Sequence, residues 1–160
     1  MNSCVFPGSF DPPTNGHMDL IRRAAGLFDR VTVTVMINVR KAGFLPVEDR
    51  IRILRKACEG IENVKIDRWD GLLADYMRKN GERIVLRGTR NAAEFAQEYE
   101  AAQINRRLCG NVETLLIPSD PGLSFVSSSM VRELAAFGGD FRPYVPENAG
   151  EEILKVLSKK

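Results

Sequence analysis

The sequence predicts an α/β protein: a Rossmann-like open parallel sheet of about five strands with helices on both faces. Three observations carry this. Short apolar runs rich in β-branched residues recur along the chain, with residues 31–37 the clearest. Segments with apolar residues at helical spacing stand between them. Glycine and proline punctuate the junctions. Strand–loop–helix–strand is a βαβ unit, whose strands are parallel and whose crossover is right-handed. In such sheets ligands bind beyond the carboxyl ends of the strands.

The elements follow in order. Cys4, Val5 and Phe6 form the first strand, and a loop with Gly8, Pro12, Pro13 and Gly16 follows. A helix begins near Met18, with Met18, Ile21, Ala24, Ala25 and Phe28 on one face. Residues 31–37 are the second strand, and 38–46 form a loop with Arg40, Lys41 and Gly43. Pro46, Glu48 and Asp49 mark a helix start, and Ile51, Leu54 and Cys58 give that helix its inner face. Residues 64–67 alternate as a short strand. An amphipathic helix over 72–79 ends at Asn80-Gly81. Ile84, Val85 and Leu86 are a buried strand, with Arg87-Gly88-Thr89-Arg90 beyond its end. A long helix over 92–108 precedes a strand over 112–117. Ser127 or Ser128 caps a helix running to about Phe137, and 147–160 form a last helix after Pro143 and Pro146.

The 160 residues suit a single domain spanning 1–160. A net charge of +2 gives no case for a nucleic-acid partner. Cys4, Cys58 and Cys109 are widely spaced and odd in number, and the chain has one histidine. A disulfide framework, a zinc site and a histidine-rich metal site are therefore not expected, and reduced thiols point to the cytoplasm. The start shows no basic and apolar leader pattern, and the longest mostly apolar run, 31–39, is far short of a membrane span.

The topology gathers polar residues at one rim of the sheet. The loops after the strands carry Ser9 and His17, Arg40 and Lys41, Arg87 and Arg90, and Ser127, Ser128 and Ser129. A histidine, several cations, hydroxyls and two helix N-termini suit a polyanion. Each cation alone is more commonly a solvated charge, and serines at a helix start commonly cap it. A glycine- and proline-bearing loop often serves only its turn. The loop over 5–17 by itself leaves chemistry and simple binding both open. The spacings GxxxxGK[ST] and GxGxxG are absent, so neither a P-loop enzyme nor a dinucleotide dehydrogenase is supported.

Pro7-Gly8-Ser9-Phe10-Asp11-Pro12-Pro13-Thr14-Asn15-Gly16-His17 resembles the T/HxGH motif region of the nucleotidyltransferase superfamily. Arg87-Gly88-Thr89-Arg90 followed by Glu94-Phe95, Glu98 and Asn105-Arg106 is similar to the middle of the bacterial phosphopantetheine adenylyltransferase family. Ser124-Phe125-Val126-Ser127-Ser128-Ser129 resembles that family's late serine motif, and Pro146-Glu147-Asn148 also matches. The resemblance covers essentially the whole chain. Ser9 stands where the family often has Thr, Phe6 where Tyr is common, and Leu123 where an aromatic is frequent, which bears on packing over the adenine.

The resemblance implies transfer of AMP from ATP to 4′-phosphopantetheine, giving dephospho-CoA and pyrophosphate, the penultimate step of coenzyme A synthesis. A phosphate monoester with a second pKa of about 6 is already largely ionised, so no general base is required. What remains is positioning and charge stabilisation. The roles implied are these. His17 donates to the α-phosphate, Ser9 and the loop amides hold both phosphates, and Lys41 bridges them. Arg87 binds the phosphopantetheine phosphate, with Leu72 and Leu73 along the pantetheine arm. Phe10, Gly88, Arg90, Glu98 and Ser127–Ser129 join Ser9 and His17 in contacting ATP. Leu72 and Leu73 are most simply core residues by spacing, and Glu98 most simply pairs with an arginine. Mg²⁺ is expected to bridge ATP phosphates, with no protein ligand assigned. The resemblance also implies feedback by CoA, no membrane partner and a homohexamer. The rivals are a cytidylyltransferase acting on a phosphorylated alcohol, disfavoured by the RGTR and serine segments, and a non-catalytic nucleotide sensor, disfavoured by His17 with Lys41.

Overall fold

The structure, a computed structural model, describes residues 2–158. Strands β1 (Ser3–Gly8), β2 (Arg30–Met36), β3 (Val64–Trp69), β4 (Ile84–Thr89) and β5 (Glu113–Pro118) form one sheet in the order β3-β2-β1-β4-β5. All four pairings are parallel. The helices are α1 (Asn15–Leu27), α2 (Val47–Ala57), α3 (Leu73–Asn80), α4 (Ala92–Leu108), α5 (Ser128–Ala136) and α6 (Glu147–Leu157). None of the helices among the described residues is long and apolar enough to cross a membrane.

β2 is buried without a break from Val31 to Val35, the pattern of a strand covered on both faces. On one face Val31, Val33 and Val35 join Cys4 and Phe6 of β1 and Leu86 of β4. Met18, Ile21 and Ala24 of α1, with Ile51 and Leu54 of α2, close over them. On the other face Val5 and Val85 are covered by Tyr76 and Met77 of α3. A third cluster uses the outer side of α2: Ile53 packs with Leu45, Val131 of α5, and Ala149 and Ile153 of α6. α6 thus packs on α2, and α5 packs on α6.

Successive strands run outward from β1 in one direction through β2 and β3, while β4 and β5 lie on its other side. The order therefore reverses between β1 and β4, and the loops after these two strands diverge to leave a crevice.

Element boundaries differ from the sequence reading where local hydrogen bonding decides them. α1 starts at Asn15 rather than near Met18, because Thr14 and His17 form a capping box. β4 continues through Arg87-Gly88-Thr89, since β5 goes on pairing alongside at Leu116, Ile117 and Pro118. Ser127 caps α5, and residues 159–160 of the last expected helix lie outside the described residues. Leu72 is not a core residue: it occupies the cap position of α3 and is 60% exposed, while Leu73 is partly buried. α4 has no buried residue at all and exposes Phe95, Tyr99, Ile104 and Leu108.

Leu54 is fully buried between α2 and the sheet. Leu54→Ala should lower the free energy of unfolding by about 2–5 kcal/mol. Leu72→Ala should change it by less than about 0.5 kcal/mol. Urea denaturation of the two variants checks the contrast.

Candidate active site

The β1–α1 loop is shaped by Phe10, which adopts φ 46°. Left-handed backbone costs a non-glycine residue of order 1–3 kcal/mol and persists where the surroundings impose it. Here burial imposes it. The Phe10 ring is 1% exposed, and it meets Phe6 edge-on at 5.5 Å and His17 at 4.9 Å. A Cβ on Gly8 would press on the same ring at 3.1 Å, so the glycine lets it tuck under the end of β1. Ser9 is thereby left exposed on the outside of the bend.

His17 is the third residue of α1 and is held at one nitrogen. The Thr14 backbone N–H donates to Nδ1 at 3.0 Å, and Thr14 Oγ1 lies 3.0 Å from the same atom. In return the His17 backbone N–H donates to Thr14 Oγ1 at 3.3 Å. A backbone amide can only donate, so Nδ1 is the acceptor and the neutral ring carries its proton on Nε2. Burial, and then the charges of Arg87 and Arg90, push the His17 pKa down from 6.5 to about 4. The ring is therefore neutral at physiological pH. It offers the crevice a fixed N–H donor rather than a base.

A cavity of about 280 Å³ opens over this histidine. Ser9, Phe10 and His17 line it from the β1 side, and Gly88 and Arg90 from the β4 side. Ser127 and Ser128 line it from the start of α5. A Cβ on Gly88 would collide with Leu20, so glycine is what allows β4 to lie close to α1. Leu123 also lines the cavity.

Arg87 and Glu98 stand where this cavity meets a second one of about 300 Å³, and both residues line both spaces. Glu98 accepts from Arg87 Nε at 2.8 Å and Nη2 at 2.6 Å, and Arg87 Nη1 donates to the Pro7 carbonyl. Arg90 is held the same way by Glu94, with Nε to Oε1 at 2.8 Å, and Nη1 donates to the Val126 carbonyl at 3.1 Å. Burial pushes the Glu94 carboxyl up. The hydrogen bonds and charge of Arg90, with the charge of Arg87, outweigh it and hold Glu94 below its ordinary value. Each arginine fork is thus fixed in direction before any ligand arrives. Leu73 lines the second cavity beside Ser9.

The remaining expected residues are placed differently. Lys41 is exposed on the β2–α2 loop and lines a neighbouring cavity of about 810 Å³, which shares Ser9 with the other two. Ser129 is exposed, and its Oγ accepts from Arg132 Nη2 at 3.0 Å. Ser127 Oγ accepts from the Met130 N–H, and Ser128 Oγ donates to the Pro12 carbonyl at 2.8 Å. The Ser128 hydroxyl hydrogen is therefore spent on the β1–α1 loop. Its amide at the α5 N-terminus is the group it has for an anion. Leu72 is not among the residues lining these three cavities.

Sequence reasoning missed Thr14 as the holder of His17, although an acceptor three residues before a helix position is a readable capping pattern. It also missed Glu94 as the partner of Arg90, which the (i, i+4) spacing allows. No group of three or more His, Cys, Asp or Glu among the described residues is placed to hold a metal ion.

Residues 5–134 match the model of the cytidylyltransferase-like family. The phosphopantetheine adenylyltransferase of Rubrobacter xylanophilus is 45% identical over 159 residues, covering 99% of this chain and 97% of its own. The chain belongs to the phosphopantetheine adenylyltransferase family. Another member, from Deinococcus radiodurans, is 46% identical over 155 residues, covering 96% of this chain and 92% of its own. The solved Plasmodium falciparum nicotinic acid mononucleotide adenylyltransferase complexed with NaAD superposes with a TM-score of 0.70 at 14% identity, over 96% of this chain and 95% of that one. At that identity the likeness shows the shared fold.

The single histidine makes the site's protonation directly observable. Its ring signals should titrate with a midpoint of about 4 rather than 6.5, and the nitrogen spectrum should show the Nε2–H tautomer. The unfolded chain protonates first as pH falls. The contribution of the neutral ring is therefore complete above pH 6.5 and is lost towards pH 4, a difference of about 3 kcal/mol. His17→Gln should flatten that part of the stability–pH curve.

Proposed function

We propose that the chain transfers the adenylyl group of ATP to 4′-phosphopantetheine, forming dephospho-CoA and releasing pyrophosphate. The observation that carries the chemical side is His17, a neutral ring whose proton is fixed on Nε2 at the floor of a cation-rimmed crevice. The family names of its relatives supply the substrates.

The nucleophile is a phosphate oxygen of 4′-phosphopantetheine. It forms a bond to the α-phosphorus of ATP as the bond from that phosphorus to the β-phosphate bridging oxygen breaks, and pyrophosphate leaves with the electron pair. A histidine with its pKa near 4 is ill suited to take a proton at neutral pH, and none has to be taken. It is suited to donate to the α-phosphate oxygens as charge crowds onto them. Because Nδ1 is occupied by Thr14, the ring cannot rotate away from this duty.

The cations divide the remaining charge. Arg90 and the amides that Ser127, Ser128 and Ser129 present at the α5 N-terminus take the ATP phosphates, and Phe10, Gly88 and Glu98 shape the nucleotide's pocket. Arg87 takes the incoming phosphate, with Ser9 between the two substrates and Lys41 bridging them from the β2–α2 loop. The pantetheine arm runs from Arg87 past Leu73, with Leu72 at its outer end. Support for this order comes from the cavities: Arg87 sits at the junction of the 280 and 300 Å³ spaces, which also share Ser9. ATP enters as its Mg²⁺ complex. Glu94 and Glu98 are engaged by arginines, so a bound Mg²⁺ would draw few ligands from these side chains and would supply charge neutralisation to the ATP phosphates.

CoA keeps both halves of the product, so it competes for the same joined cavities and supplies feedback. The reading gives a cytoplasmic enzyme, with residues 1–160 as one nucleotidyltransferase domain and a homohexamer as its assembly. The exposed apolar side chains of α4 support association with other copies.

Mg-ATP with 4′-phosphopantetheine should release pyrophosphate, and CTP with glycerol 3-phosphate should not. Silence in the first mixture rejects the proposal. His17→Ala should lower kcat by about 10²–10³-fold with ATP binding retained, the cost of losing one donor at a developing charge. Lys41→Ala should lower kcat and raise KM for 4′-phosphopantetheine. An effect on ATP affinity alone would remove Lys41 from its bridging role.

A further inference from the structure

Arg50 lies on α2, yet its side chain is 8% exposed and reaches the β1–α1 loop. Its Nε donates to the Leu45 carbonyl at 2.8 Å and its Nη1 to the Ser9 carbonyl at 3.3 Å. Its Nη2 lies 3.3 Å from Asp11 Oδ2. Asp11 is buried too. Its Oδ2 accepts from the Phe44 N–H and its Oδ1 from the Leu45 N–H, each at 2.7 Å. Arg132 of α5 fixes the same loop by donating to the Asp11 carbonyl at 2.6 Å. Two loops distant in sequence are thereby joined through one guanidinium and one carboxylate. One carries Ser9 and the other carries Lys41, and both residues line the 810 Å³ cavity.

Stability alone is a poor reason for this arrangement. A buried ion pair is commonly matched or bettered by well-packed apolar residues. What the charged pair supplies is direction: a planar fork with several fixed donors, and a carboxylate that accepts two neighbouring amides at once. Lysine cannot reproduce the fork, and asparagine cannot accept at both atoms. The loop has adapted to the fork, since a Cβ on the exposed Gly43 would collide with the Arg50 guanidinium.

We propose that Arg50, through Asp11, is a positioning residue for adenylyl transfer that sets the loop of Lys41 against the loop of Ser9. The proposal rests on the adenylyl-transfer reading above. The Arg50 donors are engaged by Leu45, Ser9 and Asp11, so its effect reaches the reaction through where Lys41 and Ser9 stand.

The test uses Arg50→Lys, Gly43→Ala and Lys41→Ala in the full chain, with Arg50→Lys/Lys41→Ala closing a double-mutant cycle. Gly43→Ala displaces the loop from an exposed site, so it serves if Arg50→Lys does not fold. Either single variant should lower kcat by about 10–100-fold, as a misplacement of about 1 Å can do. KM for 4′-phosphopantetheine should rise, while the Kd of ATP alone stays within about threefold, because Arg87 and Arg90, the cations of the 280 Å³ cavity, are held by Glu98 and Glu94 without Arg50. The cycle should be strongly non-additive, with Lys41→Ala costing little further once Arg50 is changed. Amide exchange should quicken together at Phe44 and Leu45, whose N–H groups donate to Asp11, and remain unchanged in α1. Multiplying effects, an equal loss of ATP affinity, or an unchanged kcat overturns the proposal. If the unaltered protein releases no pyrophosphate, the adenylyl-transfer reading has failed and the positioning proposal falls with it. An active protein with an additive cycle removes the positioning proposal alone.

Discussion

The Thr14 amide that donates to His17 Nδ1 is the contact on which the site depends. It starts α1, completes the capping box, and decides where the imidazole keeps its proton. A histidine near two guanidinium groups is already disposed to be neutral. Neutrality alone leaves two tautomers, and only one presents N–H to the crevice. A backbone donor on the other nitrogen removes the choice. The ring is then held between Thr14 and the edge of Phe10, whose left-handed backbone exists to place it there. The same residues that begin the helix therefore build the donor, and local helix formation and chemistry cannot be separated in this segment.

The arginines follow a matching logic. Arg87 and Arg90 project from the end of β4 into a space meant for several negative charges, where bare cations would repel one another. Glu98 and Glu94 lie one helical turn apart on α4, each facing its own arginine. The pairs keep the forks extended and aimed, and leave the crevice close to neutral until phosphates arrive. This explains the otherwise odd composition of α4. Its sheet-facing stripe includes Glu94, Glu98, Ala101, Ala102 and Asn105 rather than large apolar residues, because that side of the helix is a wall of the site. The helix gains little from burial in the chain itself and shows aromatic and aliphatic residues on its outer surface.

Much of the fold was legible because its signals are local. The unbroken apolar run of β2 states that both faces are covered. The alternation of strands with amphipathic segments states a parallel sheet, and the sheet states which rim carries the site. The order of Thr14, Gly16 and His17, with the RGTR and serine segments, was enough for the family. Arg50 was not legible. In an amphipathic helix whose inner face is Ile51, Leu54 and Cys58, an arginine beside them reads as solvated. Its burial comes with Asp11, which lies in a glycine- and proline-bearing loop that by itself reads as a turn. Leu72 misled in the opposite direction: an apolar residue at a helix start reads as core, and here it stands in solvent.

The sequence by itself determined the layered α/β fold, the rim that gathers polar loops, the residue types of the site and the family to which the chain belongs. These depend on periodicity, turn chemistry and short motifs, all properties of neighbouring residues. Only the tertiary structure decided which nitrogen of His17 is free, which glutamate answers which arginine, and that a buried guanidinium ties the loop of Lys41 to that of Ser9. Those outcomes depend on desolvation, which gives even the short-range Thr14–His17 and Arg90–Glu94 contacts their weight, and on hydrogen bonds such as Arg50–Ser9 between residues far apart along the chain. Both are set by what the fold brings together.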